Sequence, residues 1–161
     1  MPASPILRTA RFTLVAAGIV VGLVPALLLR REGQAAFRPD GWGLPGIVLA
    51  AVGSVFYLWA AGLFALVGRG TPSPIDPPRT LVTTGPYRWT RNPLYVSALL
   101  VVCGESLLFR SPLLTGYAAV LWAFFAAFVV LVEEPHLRAT FGGAYEEYRR
   151  TVPRWIGRTR S

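Results

Sequence analysis

Four long apolar runs constrain this chain of 161 residues more than any other feature of its sequence. They are 12–29, 44–67, 94–109 and 113–132, and the third carries the one charged residue among them, Glu105. A helix crosses about 30 Å of hydrocarbon in about 20 residues, because each residue rises about 1.5 Å. We therefore predict an all-α, polytopic membrane protein with about four transmembrane helices in a single membrane domain, 1–161.

The composition supports a membrane protein and excludes several other classes. Of the residues, 53% are hydrophobic and 15% are charged, and the net charge of +8 comes from arginine, since the chain has no lysine. Arginines beside apolar runs favour lipid headgroups or an anionic ligand over nucleic acid, so no nucleic-acid partner is expected. A lone Cys103 and a lone His136 cannot form an intrachain disulfide or a zinc cluster, so no metal is expected.

The distribution of arginine predicts the topology. Twelve of the sixteen arginines fall in the N-terminal segment, in 68–93 and in 133–161, whereas four fall in the two opposite loops. Because positive residues concentrate on the cytoplasmic side, we predict a multi-pass protein with both termini cytoplasmic, in the inner membrane if the source is bacterial. The segments 68–93 and 133–161 then share one face.

Two polar clusters on that face carry the residue types of a ligand site. One is 85–95, with two arginines, three aromatic residues and a Gly-Pro turn, and the other is Glu133 with Glu134. Arginine clamps carboxylates and phosphates, aromatic rings stack on purines, and carboxylates bind ribose hydroxyls or ammonium groups. S-adenosylmethionine presents all of these groups except a phosphate, but NADPH would use many of the same side chains. The residue types alone leave both cofactors open.

The C-terminal segment has helical periodicity. Apolar residues recur there at steps of three and four, at Leu137, Phe141, Tyr145, Tyr148 and Val152. This pattern predicts one amphipathic helix, on the membrane surface or capping the bundle, with an ion pair between Glu146 and Arg150 and an end at Pro153.

Three motifs, in order, resemble the isoprenylcysteine carboxyl methyltransferase and phospholipid methyltransferase family. They are Gly85-Pro86-Tyr87-Arg88-Trp89-Thr90-Arg91-Asn92-Pro93-Leu94-Tyr95, then Glu133-Glu134-Pro135, then Phe141-Gly142-Gly143-Ala144-Tyr145-Glu146-Glu147-Tyr148 with Val152-Pro153-Arg154. The resemblance covers about the C-terminal half of the chain. The first two apolar runs match the family in hydrophobicity alone.

The resemblance implies an integral membrane methyltransferase that uses S-adenosylmethionine and releases S-adenosylhomocysteine. Its acceptor would be lipophilic, such as a prenylated thiol or carboxylate or a lipid headgroup, and 68–93 and 133–161 would bind the cofactor. No catalytic side chain is assigned. The implied cofactor-binding residues are Tyr87, Arg88, Arg91, Asn92, Pro93, Tyr95, Glu133, Glu134, Tyr145, Tyr148 and Arg149.

Several alternatives stay open at this point. A reductase-like membrane protein that binds NADPH, or a non-enzymatic membrane protein, would also fit the sequence. Many family members have histidine where this chain has Asn92, which cannot titrate near neutral pH, and His136 could compensate although a surface position is favoured for it. The glutamate pair could instead be a solvated helix end, with Glu134 paired to Arg138.

Two further sites have plain structural interpretations. Glu105 lies in an apolar run but about one turn before Arg110, so an interfacial ion pair is favoured over a catalytic role. Gly18 and Gly22 form a GxxxG pair, for which packing within the chain is favoured over dimerisation. The oligomeric state is not predicted.

Overall fold

The computed structural model describes residues 11, 13–33, 41, 43–68 and 80–156. This part of the chain is all-α, as predicted, and contains no strand. Residues 69–79 of the predicted polar segment 68–93 and residues 157–161 of the predicted segment 133–161 lie outside the described residues.

Six helices form the described fold. They are α1 (Thr13–Ala17, Ile19–Leu23 and Val24–Arg31), α2 (Gly43–Leu63, continued by Phe64–Gly68), α3 (Pro93–Phe109), α4 (Pro112–Phe128, continued by Val129–Glu133), α5 (Glu134–Phe141) and α6 (Gly143–Thr151). A 3₁₀ turn at Gly85–Arg88 lies between α2 and α3.

Two of the predicted spans have the length and hydropathy of membrane-crossing helices. In the described part of the chain these are Gly43–Val67, of 25 residues, and Pro112–Phe141, of 30 residues. The second span continues from α4 straight into α5. The other predicted spans are also helical, but α3 is an apolar helix of 17 residues, so four crossings are not confirmed.

The outer faces of α2 and α4 are apolar. Large hydrophobic side chains stand exposed along both helices, and this continuous apolar surface suits lipid rather than water. They are Leu44, Ile47, Val48, Val52, Val55, Leu58, Leu66 and Val67 on α2 and its continuation, and Leu113, Val120, Trp122, Val130 and Leu131 on α4 and its continuation.

Glycines allow α2 and α3 to pack with their backbones in contact. A Cβ atom built at Gly104 would lie 2.6 Å from the backbone oxygen of Gly46, and one at Gly53 would lie 2.8 Å from the backbone oxygen of Ser97. Real Cβ atoms do not approach backbone so closely, so a side chain at these positions would push the helices apart. The glycines therefore fix the position of α3 and of the motif before it.

The predicted break between the third and fourth apolar runs is confirmed. Arg110 adopts the left-handed conformation with φ of 49°, and α4 begins at Pro112. The Ser111 hydroxyl oxygen accepts a hydrogen bond from the Leu114 amide at 3.0 Å, and the Glu32 carboxylate accepts one from the Leu113 amide at 2.9 Å. These acceptors satisfy amides that the first turn of a helix leaves unpaired, and they tie α1 to α4.

The prediction of one continuous C-terminal helix was wrong. Gly142, with φ of 51° and ψ of −124°, separates α5 from α6, because that conformation is open to glycine but strained for other residues. The predicted apolar face is confirmed, however. Its five residues all belong to one core cluster with Ala60, Val82 and Tyr87, so α5 and α6 cap the bundle.

The ion pairs of this segment also differ from the prediction. Glu146 pairs with Arg149 at 2.9 Å and with Arg138 at 3.2 Å, rather than with Arg150. Arg150 approaches Glu147 at 4.0 Å instead. The bend at Gly142 changes which side chains of α5 and α6 face one another, so a straight-helix pattern gives the wrong partners.

Packing of the GxxxG pair within the chain is not seen among the described residues. Gly18 and Gly22 are exposed, and a Cβ atom at either position would meet nothing within 4 Å. The cavity-facing side of α1 is formed instead by its neighbours Ala16, Ala17 and Val20.

Candidate functional site

A cavity of about 430 Å³ lies among the helices and under α5 and α6. Polar side chains reach it from the segment before α3, from Glu133 and from α5 and α6, and they are Tyr87, Arg91, Asn92, Glu133, Glu134, Tyr145 and Tyr148. The wall formed by α1, α2 and α4 is apolar and includes Ala16, Ala17, Val20, Phe64, Phe125 and Phe128. We call these the polar half and the apolar half of the cavity.

The predicted meeting of the two polar clusters is confirmed. Arg91 Nη1 lies 3.0 Å from Glu134 Oε1, and both side chains are buried, with exposed fractions of 9% and 5%. Arg154 donates to the same carboxylate through Nε at 2.7 Å and Nη2 at 3.0 Å. Arg138, the partner expected for a solvated helix end, reaches only 4.0 Å. Glu134 is therefore a buried carboxylate neutralised by two arginines.

The environment of Glu134 favours its charged form. Burial alone would raise the pKa of its carboxyl group, but the hydrogen bond from Arg154 and the positive charges of Arg91 and Arg154 lower that pKa below its ordinary value. The carboxylate is thus ionised at neutral pH, which keeps both arginines paired.

The segment after α6 is bound to the motif before α3. The Arg91 amide donates to the Pro153 carbonyl at 2.9 Å, and Arg91 Nε donates to the Val152 carbonyl at 3.1 Å. Asn92 Nδ2 and the Thr90 hydroxyl both donate to the Arg154 carbonyl, at 2.9 and 3.0 Å. Asn92 therefore uses its amide group to hold the C-terminal segment, a role that does not need a titrating histidine.

Three tyrosines of the polar half have different partners. The Tyr148 hydroxyl donates to the Tyr87 carbonyl at 2.7 Å, and the Tyr145 hydroxyl accepts from Arg91 Nη1 at 2.9 Å. The Tyr87 hydroxyl is buried and has no hydrogen-bond partner among the described residues. Burial raises the pKa of Tyr87, so this hydroxyl keeps its proton and can donate to a ligand.

Glu133 differs from its neighbour. Its Oε2 accepts a hydrogen bond from the Tyr95 hydroxyl at 2.9 Å, and it has no ion-pair partner among the described residues. Two adjacent carboxylates thus occupy opposite environments, one neutralised by cations and one not.

Most of the predicted site residues line the cavity: Tyr87, Arg91, Asn92, Pro93, Tyr95, Glu133, Glu134, Tyr145 and Tyr148. Arg88 and Arg149 do not line it. Arg88 is exposed, whereas Arg149 is partly buried and forms an ion pair with Glu146. The charge of Arg149 is also one of those that lower the pKa of Glu134, so Arg149 lies near the site without lining the cavity.

His136 and Glu105, the two residues whose roles the sequence leaves open, lie in different parts of the structure. His136 is exposed, as predicted, but it also lies at the edge of the cavity. Glu105 is not among the cavity-lining residues, and its Oε2 is buried without a hydrogen-bond partner among the described residues.

The sequence missed most of the apolar half and one important polar residue. The apolar wall includes Ala16, Ala17, Val20, Tyr57, Phe64, Ala98, Phe124, Phe125, Phe128, Val129 and Val132. In an apolar run, side chains that face a cavity look like those that face lipid, so hydropathy could not separate them. Arg154 was visible in the third motif, but its contact with Glu134, twenty residues earlier, was not predicted.

The chain matches the sequence model of phospholipid methyltransferases over residues 42–144. It is 40% identical to the protein-S-isoprenylcysteine O-methyltransferase of Schizosaccharomyces pombe over 79 residues, which cover 47% of this chain and 32% of that protein. It is 34% identical to the cobalt-zinc-cadmium resistance protein CzcN of Cupriavidus metallidurans over 116 residues, covering 72% of this chain and 48% of that protein.

The human protein-S-isoprenylcysteine O-methyltransferase is 37% identical over 75 residues, covering 46% of this chain and 26% of that protein. The matches therefore span from about a quarter to about half of the length of these curated relatives. No solved structure shows a significant match.

Proposed function

The chain belongs to the phospholipid methyltransferase family, and we propose that it is a membrane methyltransferase that transfers the methyl group of S-adenosylmethionine to a lipophilic acceptor. The observation that carries this proposal is the two-part cavity. Its polar half lies beside Arg91, Glu134 and the tyrosines, and its apolar half lies against α1 and α4. A polar cofactor and a lipophilic acceptor need such adjoining environments.

The residues of the polar half fit the proposed cofactor. The volume of the whole cavity, about 430 Å³ with both halves included, falls within the range of about 300–1,000 Å³ that is common for ligand sites. The unpartnered hydroxyl of Tyr87 needs an acceptor, which a ligand would supply. The cofactor-binding residues that we assign are Tyr87, Arg91, Asn92, Pro93, Tyr95, Glu133, Glu134, Tyr145 and Tyr148.

The chain's own contribution to the reaction is positioning and exclusion of water. When bound, S-adenosylmethionine supplies an electrophilic methyl group on a positively charged sulfur. Arg91 and Glu134 hold the motif, α5 and the C-terminal segment in one arrangement, and this arrangement fixes the polar half. Aromatic residues of α4 exclude water from the apolar half. Because methyl transfer is an in-line displacement, this alignment is a large part of the catalysis.

The membrane arrangement is part of the proposal. We propose that α1, α2, α3 and α4 lie in the bilayer, that both termini are cytoplasmic, and that the cofactor enters from the cytoplasm. The acceptor, such as a prenylated thiol or carboxylate or a lipid headgroup, would reach the apolar half from the bilayer. The apolar outer faces of α2 and α4 support this placement.

Calorimetry in detergent tests the cofactor directly. We expect the purified protein to bind S-adenosylhomocysteine and to show no saturable binding of NADPH. Binding of NADPH instead would indicate the reductase-like alternative, and binding of neither would favour a non-enzymatic protein. Incubation with radiolabelled cofactor and a lipid extract, followed by identification of the labelled product, then tests the transfer itself.

The Tyr87→Phe variant tests the assigned site without disturbing the fold. In the apoprotein this hydroxyl is buried and unpaired, so we expect its removal to leave thermal stability unchanged or slightly higher. A ligand should lose one hydrogen bond, so we expect S-adenosylhomocysteine affinity to fall about 3- to 10-fold, corresponding to about 0.7–1.4 kcal/mol. Calorimetry and thermal unfolding measure the two effects.

Tyr148→Phe is the matched control, because this hydroxyl is already bonded to the Tyr87 carbonyl. We expect it to lower stability by about 1 kcal/mol while changing affinity less than Tyr87→Phe does. Unchanged affinity in Tyr87→Phe would remove Tyr87 from the site.

A further inference from the structure

We propose that Phe56, Trp59 and Trp89, with Arg88 beside them, form a surface that binds phospholipid headgroups where the chain leaves the membrane. We call the three rings the aromatic cluster, and the cluster together with Arg88 the headgroup surface. None of these four residues lines the cavity. The inference goes beyond the methyltransferase function proposed above, and of that proposal it uses only the placement of the helices in the bilayer.

The aromatic cluster joins the motif before α3 to the outer face of α2. The rings of Trp89 and Phe56 are inclined by only 10°, with centroids 6.1 Å apart. Trp59 meets both rings edge to face, at 5.7 Å from Trp89 and 6.2 Å from Phe56. Stacked and edge-to-face pairs at about 4.5–7 Å attract one another beyond the burial of their surfaces. The rings therefore hold Trp89 of the motif on α2.

The outer side of the aromatic cluster is open. The exposed fractions are 46% for Trp59 and 59% for Trp89. On α2 the cluster continues into Val55 and Leu58, whose side chains are also exposed. A continuous apolar patch of this kind marks an interaction surface, and on the outer face of a membrane helix the material that covers it is lipid.

The cluster lies where a membrane boundary is expected. Trp89 directly follows the charged residue Arg88, and the apolar helix α3 begins soon afterwards at Pro93. Trp59 lies about 24 Å along α2 from the start of that helix at Gly43. The hydrocarbon layer is about 30 Å thick, so this ring is close to its far boundary. Tryptophan is enriched at such boundaries, because its ring is apolar and its N–H group is polar.

The chemistry of the headgroup surface fits a phosphate group next to an ammonium group. The Arg88 guanidinium is exposed, and guanidinium groups clamp phosphates through two N–H donors. The indole N–H groups of Trp59 and Trp89 can only donate hydrogen bonds, and the faces of indole rings attract cations. None of the four residues is acidic, so no carboxylate of this surface repels the phosphate. A zwitterionic phospholipid presents both groups, and its acyl chains would lie along the apolar face of α2.

Lipid bound at this surface would fix the depth of the candidate site. Gly85 begins the 3₁₀ turn that also contains Tyr87 of the polar half. A Cβ atom at Gly85 would lie 2.6 Å from the Leu63 side chain and 3.3 Å from that of Trp59, so the turn packs closely on α2. A headgroup held beside this turn therefore keeps the motif, and with it the polar half of the cavity, near the membrane surface.

Quenching of tryptophan fluorescence by brominated phosphatidylcholine tests both contact and depth. The protein is placed in vesicles of this lipid, with bromine attached either near the headgroup end or near the tail end of the acyl chains. We expect Trp59 and Trp89 to be quenched more strongly by the bromine near the headgroup. The double variant Trp59→Phe/Trp89→Phe should lose that component of the quenching, while phenylalanine preserves an apolar ring at each position.

Trp122 is the internal reference for depth. It is 53% exposed on α4 and lies about 15 Å from the start of that helix at Pro112, near the middle of the hydrocarbon layer. We expect it to be quenched more strongly by bromine near the tail end, and Trp122→Phe should remove this component. Quenching of Trp122 without quenching of Trp59 and Trp89 would overturn the headgroup surface, because water or protein would then cover it. No quenching of Trp122 by either lipid would refute the membrane placement and this proposal with it.

Thermal unfolding in detergent tests recognition of the headgroup itself. The probes are phosphatidylcholine, a diacylglycerol with the same acyl chains, and soluble glycerophosphocholine. We expect phosphatidylcholine to raise the midpoint temperature of unfolding more than either of the other two. Arg88→Gln should lose most of this difference, whereas Arg150→Gln, at an exposed arginine of α6, should keep it. The affinity for S-adenosylhomocysteine, measured by calorimetry, should be the same in Arg88→Gln as in the parent protein.

The other results would overturn the proposal in distinguishable ways. Equal stabilisation by phosphatidylcholine and diacylglycerol would mean that the surface binds acyl chains and not the headgroup. Equal stabilisation by glycerophosphocholine would mean that it binds a soluble phosphate compound rather than the membrane. Weaker S-adenosylhomocysteine binding by Arg88→Gln would return Arg88 to the cofactor site. Failure of the parent protein to bind S-adenosylhomocysteine would instead refute the proposed function and leave the headgroup surface standing.

Discussion

Glu134→Ala should lower the free energy of unfolding by about 3–5 kcal/mol, the cost of leaving buried charges without their partner. Arg91 is buried and Arg154 is partly exposed, and both depend on this one carboxylate. For a domain of this size, a loss of 1 kcal/mol lowers the midpoint temperature of unfolding by about 2–4 °C. We therefore expect the midpoint of thermal unfolding, measured in detergent, to fall by about 10 °C or more. We also expect the loss of S-adenosylhomocysteine binding, measured by calorimetry.

Glu147→Ala is the matched control for this experiment. Its carboxylate is exposed and its contact with Arg150 is a surface pair at 4.0 Å, so we expect a change within about 0.5 kcal/mol. A Glu134→Ala protein as stable as this control would show that the buried pair does not hold the site together.

The effect of Glu134→Ala should depend on pH. The pKa of Glu134 is lower in the folded protein than its unfolded value of about 4.3, so its stabilisation is fully present above that value. It is lost as the pH falls through the lowered folded pKa. The difference in stability between the parent protein and Glu134→Ala should therefore shrink on acidification. A difference that stays constant through this range would contradict an electrostatic origin.

Gly104→Ala should destabilise the protein by about 3 kcal/mol, although alanine is normally the better helix former. The new Cβ atom would lie 2.6 Å from the Ala50 amide nitrogen and from the Gly46 carbonyl oxygen, both of which are backbone atoms of α2. Backbone cannot rotate aside as a side chain can, so α2 and α3 must separate along their contact. Thermal unfolding in detergent measures the cost.

Gly116→Ala on α4 is the control for the glycine contact. Nothing lies within 4 Å of a Cβ atom at this position, so we expect stability to be unchanged or raised by up to about 1 kcal/mol. The Gly46→Ala variant should lose about as much stability as Gly104→Ala. The double variant should lose less stability than the two single variants added together, because the first substitution already separates the helices. Equal effects of Gly104→Ala and Gly116→Ala would show that the close approach is not needed.

Much of the site could be predicted, because short motifs carry both residue type and order. The turn at Gly85-Pro86, the arginine at 91 and the glutamate pair sit in fixed local contexts, and one hairpin brings them together. The contact between Arg91 and Glu134 confirms this expectation. Arg88 and Arg149 were predicted to bind the cofactor because arginine suits an anionic ligand. Where their side chains lie, however, depends on the 3₁₀ turn at Gly85–Arg88 and on the break between α5 and α6 at Gly142.

Other features could not be predicted, since they depend on contacts between distant segments. The amide of Asn92 and the hydroxyl of Thr90 bind the Arg154 carbonyl more than sixty residues away. Likewise the glycines at 46 and 104 look unremarkable in an apolar run, and their role exists only where α2 meets α3.

The sequence by itself determined that the chain is helical, that it has apolar segments suited to a membrane, and which polar motifs share one face. These properties follow from local propensity and hydropathy, which act on neighbouring residues. Only the tertiary structure decided that Glu134 is neutralised by two arginines while Glu133 is not, because the environment of a charge is set by the side chains that fold around it.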